Sequence, residues 1–305
     1  MVIYVLESNY YDKIKKELIN NEVYKQAKDY SKNRSDLNTY YNVGKLLAEA
    51  GKHYGESIIK NYSIRLTKEL NIIYNQRTLR RFRQFFLLID NQKWSTMSTK
   101  LTWSHYSELL ILNDINKINY YINIAEEQNL SVRQLREKIK SSEYERLDEN
   151  AKKKLINKEQ SKVEDLIKNP ILIRNKNNIN ITKLSEKLLK QLILEDISGF
   201  MYELGNGFSY IDNEYKIKIG DRYNYVDLLL YNIKFNCYVV VELKVTELRK
   251  EHIGQIETYM NYIDRNVRTL NQDKTIGIII CKKDNKFIME YCSDERVFSK
   301  EYQLL

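Results

Sequence analysis

From residue 10 to about 165 the apolar positions recur every three or four residues, the period of a helix with one buried face. Runs such as YYNVGKLLAEAGKHYG, INKINYYINIAEEQ and LSVRQLREKIKSSEYERL carry it clearly, and Ser131 stands where the last of these needs an N-cap. The stretch has no proline, few glycines and no convincing strand. A lysine-rich run, AKKKLINKEQSK, then leads to Pro170, the only proline, and to the polar, turn-rich IRNKNNINIT. A domain boundary is expected there, dividing 1–165 from 166–305. KLSEKLLKQLILEDISGFMYEL reads as one further helix. After it the period changes from 3.6 to 2, and EYKIKI, RYNYVDLLLY, CYVVVELKV and TIGIIIC read as strands. LRKEHIGQIETYMNYI reads as a helix between the last two. The expected fold class is α+β overall: an all-α N-terminal domain, followed by an α/β domain with a mixed central sheet.

Two of those strands interrupt their own pattern. Asp227 is the single charge in RYNYVDLLLY's apolar run, and Glu242 and Lys244 sit inside YVVVELKV. Charges within a buried strand are costly to desolvate unless a partner or ligand needs them. Only NIKFN separates the two strands, so they are expected to be neighbours in one sheet, with Asp227 and Glu242 approaching at its edge. Two such carboxylates repel unless a cation lies between them. Hard oxygen ligands suit Mg²⁺ (or Mn²⁺), which takes one or two carboxylates and keeps several waters. Lys244, two residues past Glu242, projects from the same strand face and can stabilise negative charge on whatever the metal holds. A phosphodiester fits that set. The plain alternative is a Glu–Lys or Asp–Lys pair closing a strand end.

An aspartate followed by E-x-K on the next strand resembles the PD-(D/E)XK nuclease superfamily. That likeness implies a restriction-endonuclease-like domain in which Asp227, Glu242 and Lys244 do the chemistry. Gln255 and Tyr259, in Q-I-E-T-Y, match the Q-x-x-x-Y element of the RecB-like branch. They are expected to orient the lysine or the phosphate. Glu203, in FMYELGNGF, stands where many members keep an acid that helps bind metal. Val226 departs from the proline of the superfamily name, at a position known to be loose. ELGNGFSYI, YVDLLLY, VVVELK and IGQIETYMNYID, with the helical first half, resemble the YhcG-like bacterial family, which couples a helical domain to such a nuclease domain.

Composition sharpens this picture in one respect. The formal net charge is +9, and residues 51–100 hold 10 Lys/Arg against 3 Asp/Glu, whereas 201–305 hold 15 against 16. Localised basic charge is the footprint of a polyanion. Within that region LTKEL, NIIYN and QRTLRRFRQFF read as helix, turn and helix, with Asn75 as N-cap. Leu79, Phe82 and Phe86 form the apolar stripe of the second helix, and Arg77, Arg80, Arg81 and Arg83 cover much of its remainder. This is helix-turn-helix-like, and the arginines are expected to contact DNA. A solvated helix face, or one turned to a partner subunit, is the alternative, and homo-oligomers stay open.

Other classes are set aside. No run approaches the roughly 18 apolar residues of a membrane span. The start, MVIYVLESNYYDKIKKE, lacks the basic-then-apolar order of a secretory leader, so the cytoplasm is the default compartment. Cys237, Cys281 and Cys292 are too scattered for a disulfide framework or a zinc site. Trp94 and Trp103 are expected in the core, and His53, His105 and His252 receive no ligand role, although His252 lies one turn before Gln255. The expected function is metal-dependent DNA endonuclease activity in repair, recombination or defence. The rival is a non-catalytic DNA-binding or complex-assembly protein that keeps a nuclease-like domain.

Overall fold

The computed structural model describes residues 2–26, 32–55, 57–91, 100–157, 159–176, 178–179 and 181–305. The chain divides into two compact units, Met1–Tyr144 and Glu145–Leu305. In the second unit Val163 and Ile167, which precede the first strand, lie in the core of the sheet. Trp94 lies outside the described residues.

The first unit is helical: α1 (Val2–Gln26), α2 (Lys32–Tyr54), α3 (Ile58–Leu70), α4 (Gln76–Asn91), α5 (Trp103–Leu109), α6 (Ile115–Glu127) and α7 (Val132–Lys140). Ser131 caps α7 by accepting from the Gln134 amide. Asn75 does the same for α4, its Oδ1 accepting from the Thr78 amide at 2.8 Å. These contacts satisfy amides that a helix start leaves open. The helix before the turn begins at Ile58, about two turns earlier than LTKEL suggests. α4 buries Leu79 and Phe82 in a core shared with α2, while Phe86 is half-buried and meets Tyr41 edge-on. Phe85, which the sequence stripe omitted, is fully buried among Trp103 and Tyr106. Two helices come this close because Gly44 lies at their crossing, where a Cβ would collide with the Phe82 carbonyl.

The second unit contains α8 (Glu149–Asn157), α9 (Val163–Leu166), β1 (Ile171–Ile173), α10 (Glu186–Glu195), α11 (Ile197–Leu204), β2 (Phe208–Ile219), β3 (Arg222–Asn232), β4 (Cys237–Glu247), α12 (Lys250–Asn266), β5 (Asp273–Lys283), α13 (Lys286–Glu290) and β6 (Val297–Leu304). The six strands form one mixed sheet, ordered β1-β6-β5-β4-β3-β2. β2, β3 and β4 are antiparallel neighbours, and the remaining pairs are parallel. With helices on both faces, the central strands are apolar on both sides. Val239, Val241 and Leu243 of β4 share a core with Leu189, Leu192 and Phe200 of α10 and α11. Val240 instead joins Ile256, Met260 and Ile263 of α12. α12 sits so low on β5 that a Cβ at Gly277 would meet Met260 Sδ at 2.6 Å. The helix expected over 183–204 is two helices, broken at Asp196, whose ψ of 51° leaves the helical range. Among the described residues no helix is long and apolar enough to cross a membrane. The three cysteines are free thiols.

Candidate active site

The site begins where two strands part. β3 and β4 pair from Asn232↔Cys237 to Leu228↔Val241. Asp227 is the first residue past the last of these pairs. Instead of continuing the ladder, its Oδ2 accepts from the Leu243 amide at 3.0 Å. A carboxylate thus takes over a backbone donor that the parting strands would leave unmet.

Glu242, one residue before Leu243, is 2% exposed. Its Oε2 accepts from Lys244 Nζ at 3.3 Å, and its Oε1 is buried with no hydrogen-bond partner. Burial, and then the nearby charge of Asp227, push the Glu242 carboxyl up to about 7 against the pull of Lys244. Lys244 is 8% exposed. Burial works against its charge, but Glu242, Glu186 and Asp227 outweigh that and hold its ammonium above the ordinary lysine range. The cation is therefore kept charged while its carboxylate partner is close to accepting a proton at neutral pH.

α10 supplies two residues that the sequence reading left out. Glu186 Oε2 lies 3.7 Å from Lys244 Nζ. One turn on, Lys190 Nζ lies 3.3 Å from Asp227 Oδ1 and 2.8 Å from Glu214 Oε1. Burial lowers the Lys190 pKa, yet Glu214 and Asp227 raise it overall. Glu214 stands opposite Asp227 on β2 and holds a φ of 52°, a left-handed conformation uncommon for residues other than glycine. The available sequence signal was Glu186 and Lys190 spaced i, i+4 just after a Ser185 N-cap, a pattern that surface helices also show.

Gln255 and Tyr259 meet as expected across one turn of α12, Gln255 Nε2 donating to the Tyr259 hydroxyl at 3.0 Å. His252, on the preceding turn, is held below its usual pKa by burial and then by Lys244. Glu203 is engaged elsewhere. Its carboxylate receives Arg146 at 2.5 and 3.2 Å and the Leu172 amide at 3.0 Å. Arg146 also donates to the Pro170 carbonyl, so the pair ties α11 to the start of β1.

The four arginines of α4 are not equivalent. Arg77 and Arg80 are exposed. Arg81 is half-buried and adds a little to the lowering of the Glu108 pKa that the bond from Arg136 chiefly causes, and Arg83 lies over Gly51 of α2. Trp103 stacks obliquely among Tyr40, Phe82 and Phe85. His105 completes a capping box with Thr102 and bonds the Leu130 carbonyl.

Among the described residues no group of three or more His, Cys, Asp or Glu stands close enough to hold a metal. The donor set still suits a hard divalent ion, which needs only one or two carboxylates and retains water. The unpartnered, buried Oε1 of Glu242 beside Asp227 is the atom such an ion would satisfy.

An acid at a strand fork, with E-x-K on the adjoining strand and helices on both faces, defines the nuclease class that the motifs suggested. The family model of the YhcG PDDEXK nuclease domain matches residues 164–304, and that of the DUF1016 N-terminal domain matches residues 15–146. The chain belongs to this YhcG-like family and carries its PDDEXK nuclease domain. It is 25% identical over 287 residues to "Putative nuclease YhcG" of Escherichia coli (strain K12), across 80% of this chain and 76% of that protein. Two solved structures are similar at 21% identity and a TM-score of 0.29. One is a repair endonuclease from Pyrococcus abyssi, matched over 39% of this chain, and the other an EndoMS–dsDNA2 complex, matched over 43%. The chain spans 47% of the length of each.

Proposed function

We propose that the chain is a DNA endonuclease dependent on Mg²⁺ or Mn²⁺, with Asp227 and Glu242 holding the ion. Once bound, the ion supplies Lewis acidity to the phosphodiester and an activated water. Lys244, kept charged by three carboxylates, neutralises charge that develops on the phosphoryl oxygens. Glu186 steadies Lys244, and Lys190 fixes the Asp227 carboxylate from the opposite side. Gln255 and Tyr259, bonded to each other on α12, orient Lys244 or the phosphate in this reading, and Arg77 and Arg80 give α4 a phosphate-binding edge. Glu203 has no part in the metal site, because its oxygens already have three donors.

The observation that carries this reading is the orphaned Glu242 Oε1, since a buried carboxylate oxygen without a donor costs free energy that a cation would recover. The rival reading, a non-catalytic domain, is favoured by the Lys190 ammonium, which already neutralises part of the charge on Asp227. One experiment separates them: supercoiled and linear DNA incubated with the purified chain in Mg²⁺, in Mn²⁺ and in EDTA, with metal affinity followed by calorimetry. Metal-dependent nicking and metal binding that Glu242→Ala abolishes support the enzyme. No metal binding and no cleavage support the rival.

A further inference from the structure

The β2–β3 pairing outruns the sheet. β3 leaves β4 after Leu228, yet it stays paired with β2 to Ile219↔Arg222, so residues 212–227 project as a two-stranded ribbon closed by a turn at Gly220 and Asp221. Residues directly opposite in an antiparallel pair share a face. Val226 and Ile217 turn into the core beneath α12. Glu214 and Asp227, which alternate with them, meet Lys190. The pairs Lys216–Tyr225 and Lys218–Tyr223 lie on this second face, in line with Asp227 and progressively farther from it.

These outer pairs are open to solvent. Tyr223 is 54% and Tyr225 53% exposed. Lys216 Nζ stands 3.8 Å from the centre of the Tyr223 ring, and Lys218 Nζ 5.9 Å. Arg222 is exposed at the turn. The ribbon stretch KIKIGDRYNY has three basic residues and one acidic residue, a local surplus that the near-neutral total of residues 201–305 conceals. Rings at i and i+2 of one strand stand about 7 Å apart on the same face.

We propose that this face binds an unpaired nucleic-acid strand that leads from the candidate site, stacking bases on Tyr223 and Tyr225 and holding phosphates with Lys216 and Lys218. The proposal rests on the nuclease reading and specifies its substrate. Lysines alone would suit any polyanion. Exposed tyrosines interleaved with them favour bases whose faces are free, and a duplex covers those faces with its own stacking.

The test measures affinity of the full-length chain in EDTA for a fluorescent oligothymidylate and for a duplex of the same length. The expected result for Tyr223→Ala/Tyr225→Ala is about a ten-fold or greater loss on the single strand. The duplex should lose two-fold or less, and Tyr223→Phe/Tyr225→Phe should stay within two-fold of wild type on both. Lys216→Gln/Lys218→Gln should flatten the slope of log affinity against log salt by about 0.7 per lost contact on the single strand. Unchanged single-strand affinity in the alanine variant overturns the proposal. So does an equal loss on both ligands, or a phenylalanine variant as weak as the alanine one. Because EDTA removes cleavage from the measurement, a chain that binds this way but never cuts would refute the nuclease reading and leave this one standing.

Discussion

Glu203 and Glu242, both in the second unit, each face a cation, and the difference between them separates structure from chemistry. Glu203 has all it needs: two guanidinium nitrogens and a backbone amide share its two oxygens, and Arg146 also donates to a carbonyl. Glu242 is more deeply buried yet has one long bond to Lys244 and an oxygen with none. A carboxylate kept to hold a fold together is expected to resemble the first. The second is held in an unfavourable state by its surroundings, and strongly shifted groups of that kind concentrate at working sites.

Removing either carboxylate of the candidate site should give the largest effect. Asp227→Ala and Glu242→Ala are expected to lower cleavage by about a thousand-fold or more, since metal polarisation supplies several kcal/mol. Glu203→Gln should keep cleavage per folded molecule within a few-fold of wild type. Plasmid-nicking rates, normalised to the folded fraction, check both. A Glu203→Gln protein that folds normally but cannot cut would reverse the comparison. Next in size is Lys244→Met, for which a loss of about a hundred-fold or more in turnover is expected with little change in melting temperature. Its partner can take up a proton rather than remain as an unpaired buried charge, which limits the cost to the fold. A destabilised but active protein would instead make Lys244 a structural ion.

The stabilities should run the other way. Breaking the Arg146–Glu203 pair by Arg146→Met strands a half-buried carboxylate without its guanidinium donors, so about 1–3 kcal/mol should be lost in denaturant unfolding. A variant as stable as wild type would show that the pair contributes nothing. The pH dependence sharpens the contrast. The folded-state pKa of Glu242, about 7, exceeds the ordinary glutamate value of 4.5. The stability linked to this proton is therefore fully present below about pH 4.5 and is lost as pH rises through about 7. Metal-free wild type should melt lower at pH 8 than at pH 5.5 by more than Glu242→Gln does, and Mg²⁺ should restore most of the difference at pH 8. Coincident melting profiles for the two proteins would end that account. The smallest effect is expected in the first unit: Arg77→Gln/Arg80→Gln should flatten the salt slope on duplex DNA by at most about two units. Adding Arg81 and Arg83 should change it little further, and an unchanged slope would return α4 to a solvated face.

Much of this geometry was legible because charges interrupted an apolar rhythm. Asp227, Glu242 and Lys244 stood out in strands otherwise fit for burial, and Gln255 and Tyr259 shared one helix face. β2 to β5 followed from alternation and β-branched content. β1 did not, having only three residues, nor did β6, where VFSKEYQL carries its charges mid-strand and most positions are half-buried. The break at Asp196 was hidden because helical spacing continues across it. Glu186 and Lys190 were missed for a different reason. Lys190 lies 37 residues before Asp227, and nothing local in a lysine-rich helix announces what tertiary folding brings opposite it. Glu203 drew attention by its place in a family pattern, whereas its actual partner, Arg146, lies 57 residues upstream.

The sheet ends on β2 at one side, and an open strand is an invitation to another chain's backbone. Three features of this rim discourage the match. The register slips between Tyr210 and Asp212, Glu214 bends the strand through a left-handed residue, and lysines at 216 and 218 repel a like-charged copy. At the other rim β1 is three residues long, too short to seed a ladder. The ribbon lysines thus bear on solubility as well as on ligands. Replacing them with valine or threonine, which favour strands, would leave a flatter and stickier border that recruits further copies, and a loss of nucleic-acid binding in such a protein would report self-association rather than a missing contact.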